Sequence, residues 1–246
     1  MKVALVYGGQ ARFTPAFPIC LQQIKGADQI DLYLYLWASD WAQTAQQARA
    51  KLGLLLPPNV NLKKLVVEPD PELPPLPPHE LEHTVEEHAT ILWWWRRRYG
   101  MWTSIKRAVE LIDEDYDVVV KFRGDGRLDR DIDINTIDIS QGLVVPENSR
   151  CGVIEGQRVS DQFGIGTLAD VRFFASLIDY MYEYITEYPN WETDGHCWAS
   201  EIMLGKHYFN NNRQQINGDF QYMLKSEGRS HFDDKHLHHP VTQVLR

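Results

Sequence analysis

Three nearly continuous apolar runs near the N-terminus limit what this chain can fold into. They read "KVALVYGG", "QIDLYLYLW" and "VNLKKLVVE", and two segments with helical patterns separate them, "TPAFPICLQQIKG" and "DWAQTAQQARAKLG". Strands that are apolar along their whole length are typical of parallel sheets with both faces covered. The strand–helix–strand–helix–strand order indicates such a sheet, joined by right-handed crossovers.

The two helices have recognisable terminal residues. The first is expected to begin near Pro15 or Pro18 and to stop at Gly26, because proline suits a first helical turn and glycine follows a last one. For the second helix, the pattern predicts Asp40 as the N-cap and Gly53 near the C-terminus.

The rest of the chain continues the α/β pattern after a proline-rich segment at 68–78, which the composition predicts to lie irregularly on the surface. A helical pattern over 79–113 has an expected break at Gly100. Strands are expected in "DYDVVV" and "QGLVVPE", a long helix from Leu168, and then a further helix and a last strand. We predict one domain over 1–246 with a flexible tail at 227–246. Its expected fold class is three-layer α/β/α, Rossmann-like, with a mostly parallel central sheet.

Charge and composition limit the partners and the compartment. The net charge of −9 argues against a nucleic-acid partner, because phosphate backbones require a basic face. No apolar run approaches the roughly 20 residues of a transmembrane helix, and the start of the chain is too short an apolar run for a signal peptide. Three widely spaced cysteines match no CxxC metal pattern and fit a reducing compartment. The chain is therefore expected to be cytoplasmic, with no transmembrane segment.

Two loops carry the candidate chemistry, since ligands of open α/β sheets bind at the carboxyl ends of the strands. The first, "YGGQAR", follows the first strand. Gly8 and Gly9 allow a ligand to approach the backbone, and Arg12 suits phosphate or carboxylate. The loop lacks GxGxxG and GxxxxGK[ST], which argues against a dinucleotide fold and a P-loop.

The second loop, "KFRGDGRLD", follows the fourth predicted strand. Lys121 and Arg123 alternate with an apolar residue and are expected to point to one face. Asp125 lies between two glycines, where a carboxylate can bind a divalent cation that neutralises a diphosphate. The alternative is a surface loop with local ion pairs.

Aromatic and charged residues elsewhere add weaker candidates. At least one of Trp93, Trp94 and Trp95 is expected to be partly exposed, because consecutive helical residues point in different directions. The arginines at 96–98 either lie on solvated faces or supply one contact to an anionic ligand. Asp194, His196 and Glu201 lie at the start of a predicted helix, and Glu201 is the candidate base for an acceptor hydroxyl. Histidines of the tail are either solvated or complete a metal site.

The order of "KVALVYGGQAR", "YGMWTSIKRAVEL", "YDVVVKFRGDGRLD" and "DQFGIG" resembles a group of microbial and viral glycosyltransferase-like proteins. These are related to polysaccharide-biosynthesis enzymes with the GT-A nucleotide-sugar fold, and the resemblance extends from the first strand to about Tyr208. It implies a UDP- or GDP-linked sugar donor, a glycan or other hydroxyl acceptor, and Mn²⁺ or Mg²⁺ bound by a DxD motif.

Carried over by position, the resemblance assigns the nucleotide to the first loop, at Gly8, Gly9, Gln10 and Arg12. Metal and diphosphate are assigned to Arg123 and Asp125, with Asp125 as the metal ligand. Asp161 and Gln162 are expected to face the sugar or acceptor, with Asp161 and Glu201 as the catalytic carboxylates. This sequence has one carboxylate where DxD has two, so Arg123 or Lys121 is the alternative source of positive charge. Two other functions stay open, a catalytically degenerate carbohydrate- or partner-binding protein and a metal-dependent phosphotransferase or hydrolase.

Overall fold

A mixed sheet of seven strands organises the computed structural model of this chain, which describes residues 1–11, 13–75, 85–147, 153–154, 157–186 and 200–224. The strands are β1 Lys2–Gln10, β2 Ile24–Lys25, β3 Gln29–Trp37, β4 Val60–Glu68, β5 Val118–Lys121, β6 Gly126–Leu128, β7 Ile132–Asp133, β8 Leu143–Pro146, β9 Val153–Ile154, β10 Gln157–Arg158, β11 Gly164–Gly166, β12 Gln215–Gly218 and β13 Tyr222–Leu224. The α-helices are α1 Ala16–Gln22, α2 Ala45–Leu52, α3 Val85–Glu110, α4 Leu168–Ala175, α5 Leu177–Thr186 and α6 Ser200–Asn210, and Ile134–Thr136 forms a 3₁₀ turn.

The strand order across the central sheet is β12-β8-β11-β5-β1-β3-β4. β1 lies between β3 and β5 and pairs in parallel with both. β3 pairs in parallel with β4, and β8 with β12. β11 runs antiparallel to both of its neighbours, β5 and β8. The prediction of an α/β fold with a mostly parallel sheet is therefore confirmed, with β11 as the reversed strand.

Both faces of the sheet are covered, which explains the continuous apolar runs. Along β1, Ala4 and Val6 pack into an apolar core with side chains of α3, α4, α5 and α6. Val3 and Leu5 point the other way and pack with α1 and α2. All four β1 side chains are at most 1% exposed. Helices therefore form a layer on each side of the sheet, as the sequence pattern predicted.

Helix α3 is continuous through Gly100, so the expected break there is wrong. A Cβ atom at this position would lie 2.8 Å from Cζ2 of Trp37, which ends β3. The glycine therefore permits close packing of the helix on the sheet, and its neighbours maintain the helical conformation. The partial exposure expected among the tryptophans is confirmed, because Trp93 is 48% exposed whereas Trp95 is buried.

Other helix ends differ from the predictions in instructive ways. Thr44, not Asp40, caps α2, because its Oγ1 accepts a hydrogen bond from the backbone N–H of Gln47. A capping box at Thr167 starts α4 at the expected residue. The long helix expected from there is two helices, α4 and α5, separated at Ser176, whose Oγ donates to the carbonyl of Phe173.

The proline-rich segment lacks regular structure from 69 to 75, as predicted, and 76–78 lie outside the described residues. The carbonyl of Pro74 accepts a hydrogen bond of 3.2 Å from Nε1 of Trp95, so this segment packs on α3. The expected tail at 227–246 is likewise outside the part of the chain that the structure describes.

Close packing of α3 on β1 depends on Gly8. A Cβ atom at Gly8 would lie 2.1 Å from the carbonyl oxygen of Ser104, a backbone atom that can move only with the helix. Contacts between α3 and β1 are extensive, and Trp102 and Ile105 of α3 are buried on this face of the sheet. The position of α3 beside the end of β1 therefore requires glycine at residue 8.

Gly8→Ala should lower the free energy of unfolding by about 2–3 kcal/mol, because the added methyl group displaces α3. Gly53→Ala is the matched control, since its Cβ would lie no closer than 3.5 Å to any other atom and its φ is −56°. The control should leave stability unchanged or raise it by up to about 1 kcal/mol. Urea unfolding of both variants measures this, and equal effects of the two substitutions would contradict the packing argument.

Candidate functional site

A cavity of about 270 Å³ opens at the carboxyl ends of β1 and β5. Five parts of the chain line it: the end of β1, helix α3, the exit of β5, the loop before β11 and the start of α6. Two larger grooves, of about 370 Å³ and 670 Å³, are lined by none of the predicted site residues. Of these three cavities, only the first is lined by residues that the sequence analysis predicted for the site.

The structure brings together the predicted site residues that it describes. Those lining the cavity are Gly8, Gly9, Gln10, Lys121, Arg123, Asp125, Asp161, Gln162 and Glu201. Arg12, Asp194, His196 and the histidine-rich tail lie outside the described residues. Their predicted roles stay predictions.

The end of β1 lines the cavity and has a backbone conformation that favours glycine. Gly9 has a φ of +136°, which residues with a Cβ atom rarely adopt, although it is still paired with Leu36 of β3. The hydroxyl of Tyr7 donates to the carbonyl of Gln10, the last residue of β1. Gly8 and Gly9 therefore have separate structural roles, close helix packing and a positive φ.

Arg123 and Asp125 form a bidentate ion pair at the exit of β5. Nε of Arg123 donates to Oδ1 of Asp125 at 2.9 Å, and Nη2 donates to Oδ2 at 2.8 Å. Burial disfavours the charged guanidinium, but the hydrogen bonds and charge of Asp125 outweigh it and raise the pKa of Arg123. Tyr222 of β13 fixes the backbone beneath the pair, accepting from the N–H of Arg123 and donating to its carbonyl at 3.1 Å and 2.7 Å.

This ion pair bears on the predicted metal site. Both oxygens of Asp125 accept hydrogen bonds from Arg123, so the carboxylate has a cationic partner already. Among the described residues, no three histidine, cysteine, aspartate or glutamate side chains are grouped to hold a metal ion. Divalent cations of the Mg²⁺ type require several oxygen ligands. The residues described at this cavity therefore do not fit a bound Mn²⁺ or Mg²⁺.

Lys121 is the most unusual group in the cavity wall. It ends β5, its side chain is only 4% exposed, and its Nζ donates to the carbonyls of Asp161 and Gln162, the latter at 3.1 Å. Burial is the main cause that lowers the pKa of Lys121 to about 7; Asp161 opposes this shift and the nearby charge of Arg123 adds to it. Lys121 therefore changes charge near neutral pH.

Helix α3 contributes basic side chains that differ in role. Arg96 pairs with Asp70 outside the cavity, whereas Arg97 and Arg98 line it. Nη1 of Arg98 donates to Oγ of Ser200 at 2.9 Å and links α3 to the first turn of α6. The surface interpretation therefore holds for Arg96, whereas contact of Arg97 or Arg98 with an anionic ligand stays a prediction.

Several lining residues were missed by the sequence reasoning: Tyr7, Trp37, Met101, Ile105, Phe122 and Ser200. A signal for part of this set was present. Residues 97, 101 and 105 are four residues apart on a predicted helix. If Arg97 is placed at the ligand, Met101 and Ile105 are therefore expected on the same face. No such pattern identifies Ser200, whose position depends on how α6 docks.

The charges at the cavity suit an anionic ligand with a reacting hydroxyl group beside it. Four basic side chains, Arg97, Arg98, Lys121 and Arg123, line it together with three carboxylates, Asp125, Asp161 and Glu201. Arginine forks and lysine amines are the protein's usual partners for phosphate oxygens. Carboxylates held near such a site can accept a proton from a hydroxyl group.

Comparisons with known proteins leave the family open: no family model matches the chain, and no curated protein matches its sequence. No helix in the described part of the chain has both the length and the apolar character needed to cross a bilayer.

Lys121→Met should remove a pH-dependent contribution to stability. The pKa of Lys121 is about 7 in the folded protein, below its ordinary value of 10.5, so between these values only the unfolded chain binds the proton. The contribution of Lys121 to stability is therefore complete above the unfolded value and is lost as the pH falls through the folded one. Relative to Lys121→Met, the wild type should gain about 2–3 kcal/mol from about pH 7 to about pH 9.

Urea unfolding of both proteins across this pH range measures the difference. Lys106→Met is the matched control, because Lys106 pairs with Asp179 away from the cavity. This control should follow the pH dependence of the wild type. A constant offset between the wild type and Lys121→Met at every pH would contradict the lowered pKa.

Proposed function

We propose that the protein is a nucleotide-sugar-dependent glycosyltransferase of the GT-A type. It would transfer a sugar from a UDP- or GDP-linked donor to a hydroxyl group of a glycan or other acceptor. The observation that carries this proposal is the convergence of the end of β1 and the segment after β5 on one cavity that also contains Asp161 and Glu201. The mostly parallel α/β sheet is consistent with the fold that the sequence resemblance implies.

In this proposal the diphosphate of the donor lies against Arg123 and Lys121. Arg123 engages Asp125 through Nε and Nη2, so Nη1 and the second proton of Nη2 can donate to a phosphate oxygen. Asp125 acts as a positioning residue that holds the guanidinium in one orientation. Fixed positive groups of this kind stabilise the negative charge that develops on a leaving diphosphate. Arg97 and Arg98 supply further positive charge from the opposite wall.

The reaction needs one proton acceptor. The acceptor hydroxyl attacks the anomeric carbon of the donor, a new C–O bond forms, and the bond from that carbon to the diphosphate oxygen breaks, leaving its electron pair on the diphosphate. Glu201 takes the hydroxyl proton in this proposal, because its carboxylate lies in the same cavity at the start of α6. Asp161 is the second carboxylate within the cavity and orients the sugar or acceptor.

A row of side chains along α3 suggests where the acceptor lies. Ile105, Met101 and Arg97 line the cavity at four-residue spacing, and Trp93 is the next residue on this row. The guanidinium of Arg97 lies 4.4 Å from the centre of the Trp93 ring, and Trp93 is 48% exposed. An exposed indole ring beside the cavity mouth suits stacking with a sugar ring. The same observation favours the second candidate function, a carbohydrate-binding protein that has lost catalysis.

Arg123→Ala should weaken UDP or GDP binding by at least about tenfold, because a charge-assisted hydrogen bond to phosphate is lost. Asp125→Ala should weaken binding less, since it removes only the positioning partner of Arg123. Calorimetry with UDP, GDP and their sugar derivatives, with and without Mn²⁺, measures both effects. Arg130→Ala is the control, because Arg130 pairs with Asp219 away from the cavity.

Unchanged nucleotide binding and turnover in both variants would contradict the site. Binding of free glycans without any affinity for nucleotides would favour the degenerate carbohydrate-binding protein. Release of phosphate from a nucleotide or sugar phosphate without an acceptor would favour the phosphotransferase or hydrolase.

Glu201→Gln should lower the rate of sugar transfer by about 100-fold or more, because the amide cannot accept the hydroxyl proton. Donor affinity should stay within about twofold, since Glu201 is not assigned a contact to the diphosphate. Glu183→Gln, on the exposed face of α5, is the matched control. Mass spectrometry of the glycan products measures the rate. A full loss in Asp161→Asn with no loss in Glu201→Gln would transfer the role of base to Asp161.

A further inference from the structure

Lys121 is a buried amine without an ion pair among the described residues. Its two donated hydrogen bonds go to the carbonyls of Asp161 and Gln162, which are neutral groups. An ammonium group has three N–H donors. Within the part of the chain that the structure describes, Lys121 has neither a third hydrogen-bond acceptor nor an ion pair. A protonated Lys121 would therefore be a charge with no carboxylate bound to it, at a residue that is only 4% exposed, and burial of such a charge is costly.

The surroundings of Lys121 explain why this missing partner matters. The face of the Phe174 ring from α4 lies 5.4 Å from Nζ; it attracts a cation weakly but offers no hydrogen-bond acceptor oxygen. The charged groups that act on Lys121 come from three other elements: Arg123 and Asp125 after β5, Asp161 before β11, and Glu201 at the start of α6. Helix α3 adds Arg97 and Arg98 across the cavity.

The carboxylates among these groups favour the protonated form of Lys121, whereas burial and Arg123 oppose it. Asp125 is already paired with Arg123 by two hydrogen bonds, which reduces its attraction for a further cation. Burial outweighs the attraction of Asp161 and Glu201, so the pKa of Lys121 is lowered to about 7. A phosphate-like oxygen entering the cavity would add both negative charge and the third hydrogen-bond acceptor.

We propose that Lys121 is a proton-linked anion receptor, which is a neutral amine before an anion binds and takes up one proton when an anionic oxygen enters beside Arg123. The proton comes from solvent and ends on Nζ, and no other bond forms or breaks. The identity of the anion as the diphosphate of a sugar donor rests on the proposed function. The linkage between anion and proton at Lys121 does not depend on sugar transfer.

This linkage makes anion affinity fall as the pH rises. Above the pKa that Lys121 has without a ligand, binding of each anion requires Lys121 to take up one proton from solvent. The apparent affinity for the anion therefore decreases as the pH rises. For an anion that binds only the protonated form, the dissociation constant rises roughly 50-fold from about pH 7 to about pH 9. A neutral substitute at residue 121 cannot show this dependence.

Sulfate is the probe for this test, because it carries two negative charges over this whole pH range and resembles a phosphate group. The wild-type protein, labelled with ¹³C at the lysine ε-carbon, is titrated with base in the absence and presence of sulfate, and NMR follows each lysine. Lys121→Met identifies the Lys121 signal. Without sulfate, the Lys121 signal should titrate near neutral pH, and with sulfate the midpoint should rise by at least about one pH unit.

Affinity measurements give a second readout on the same proteins. The sulfate dissociation constant should rise with pH in the wild type and in the surface control Lys106→Met, but not in Lys121→Met. A Lys121 signal that titrates at the ordinary lysine pH, or that sulfate does not shift, overturns the proposal. A sulfate affinity in Lys121→Met with the pH dependence of the wild type overturns it as well.

The two proposals can fail separately. Proton uptake at Lys121 on sulfate binding, with no transfer from any nucleotide sugar, would support the anion receptor and contradict the glycosyltransferase. Sugar transfer by a protein whose Lys121 stays protonated throughout would do the reverse.

Discussion

Parallel pairing of β1 with β5 is the constraint on which the cavity depends. The register places Val6 opposite Lys121, the last residue of β5, so β1 continues beyond the end of β5 from Tyr7 to Gln10. The segment after β5 therefore lies beside the last residues of β1, and two parts of the chain more than a hundred residues apart in sequence line the same cavity. Gly8 then admits α3 close enough for Arg97 and Arg98 to form the facing wall. Every other part of the candidate site is built around this pairing.

The sequence predicts the strands of this arrangement better than it predicts their neighbours. β1, β3 and β4 are long apolar runs, because strands of a parallel sheet that is covered on both faces are apolar along most of their length. Such runs can be recognised in the sequence alone. Gly100 shows the limit of such reasoning, because a glycine that usually ends a helix here accommodates the ring of Trp37, a contact between residues far apart in sequence. The reversed direction of β11 is another such case. Its three residues, "GIG", carry no signal of direction, and pairing with β5 and β8 alone decides it.

The candidate site divides in the same way. Strand exits with glycine and charge identified Lys121, Arg123 and Asp125, because their location follows from local sequence and sheet geometry. The partners of these residues did not follow. The carbonyls that hold Lys121 belong to residues forty positions later, and Tyr222, which fixes the backbone of Arg123, lies on β13. The sequence therefore located the candidate residues, while their protonation and orientation depend on tertiary contacts that no single segment encodes.

The two basic groups after β5 present the same physical problem, which is the cost of burying a cation. Burying a cation without a partner costs free energy. Either its pKa falls and the group loses its proton, or the folded state is destabilised. The two basic groups after β5 avoid this cost differently. Arg123 cannot lose its proton and is held by Asp125, whereas Lys121 gives up its proton and donates to backbone carbonyls. Replacing Lys121 with arginine would place a second permanent charge beside Asp161 with no carboxylate committed to it. The proposed anion receptor depends on this difference between the two side chains, because only the lysine can gain a proton when an anion binds.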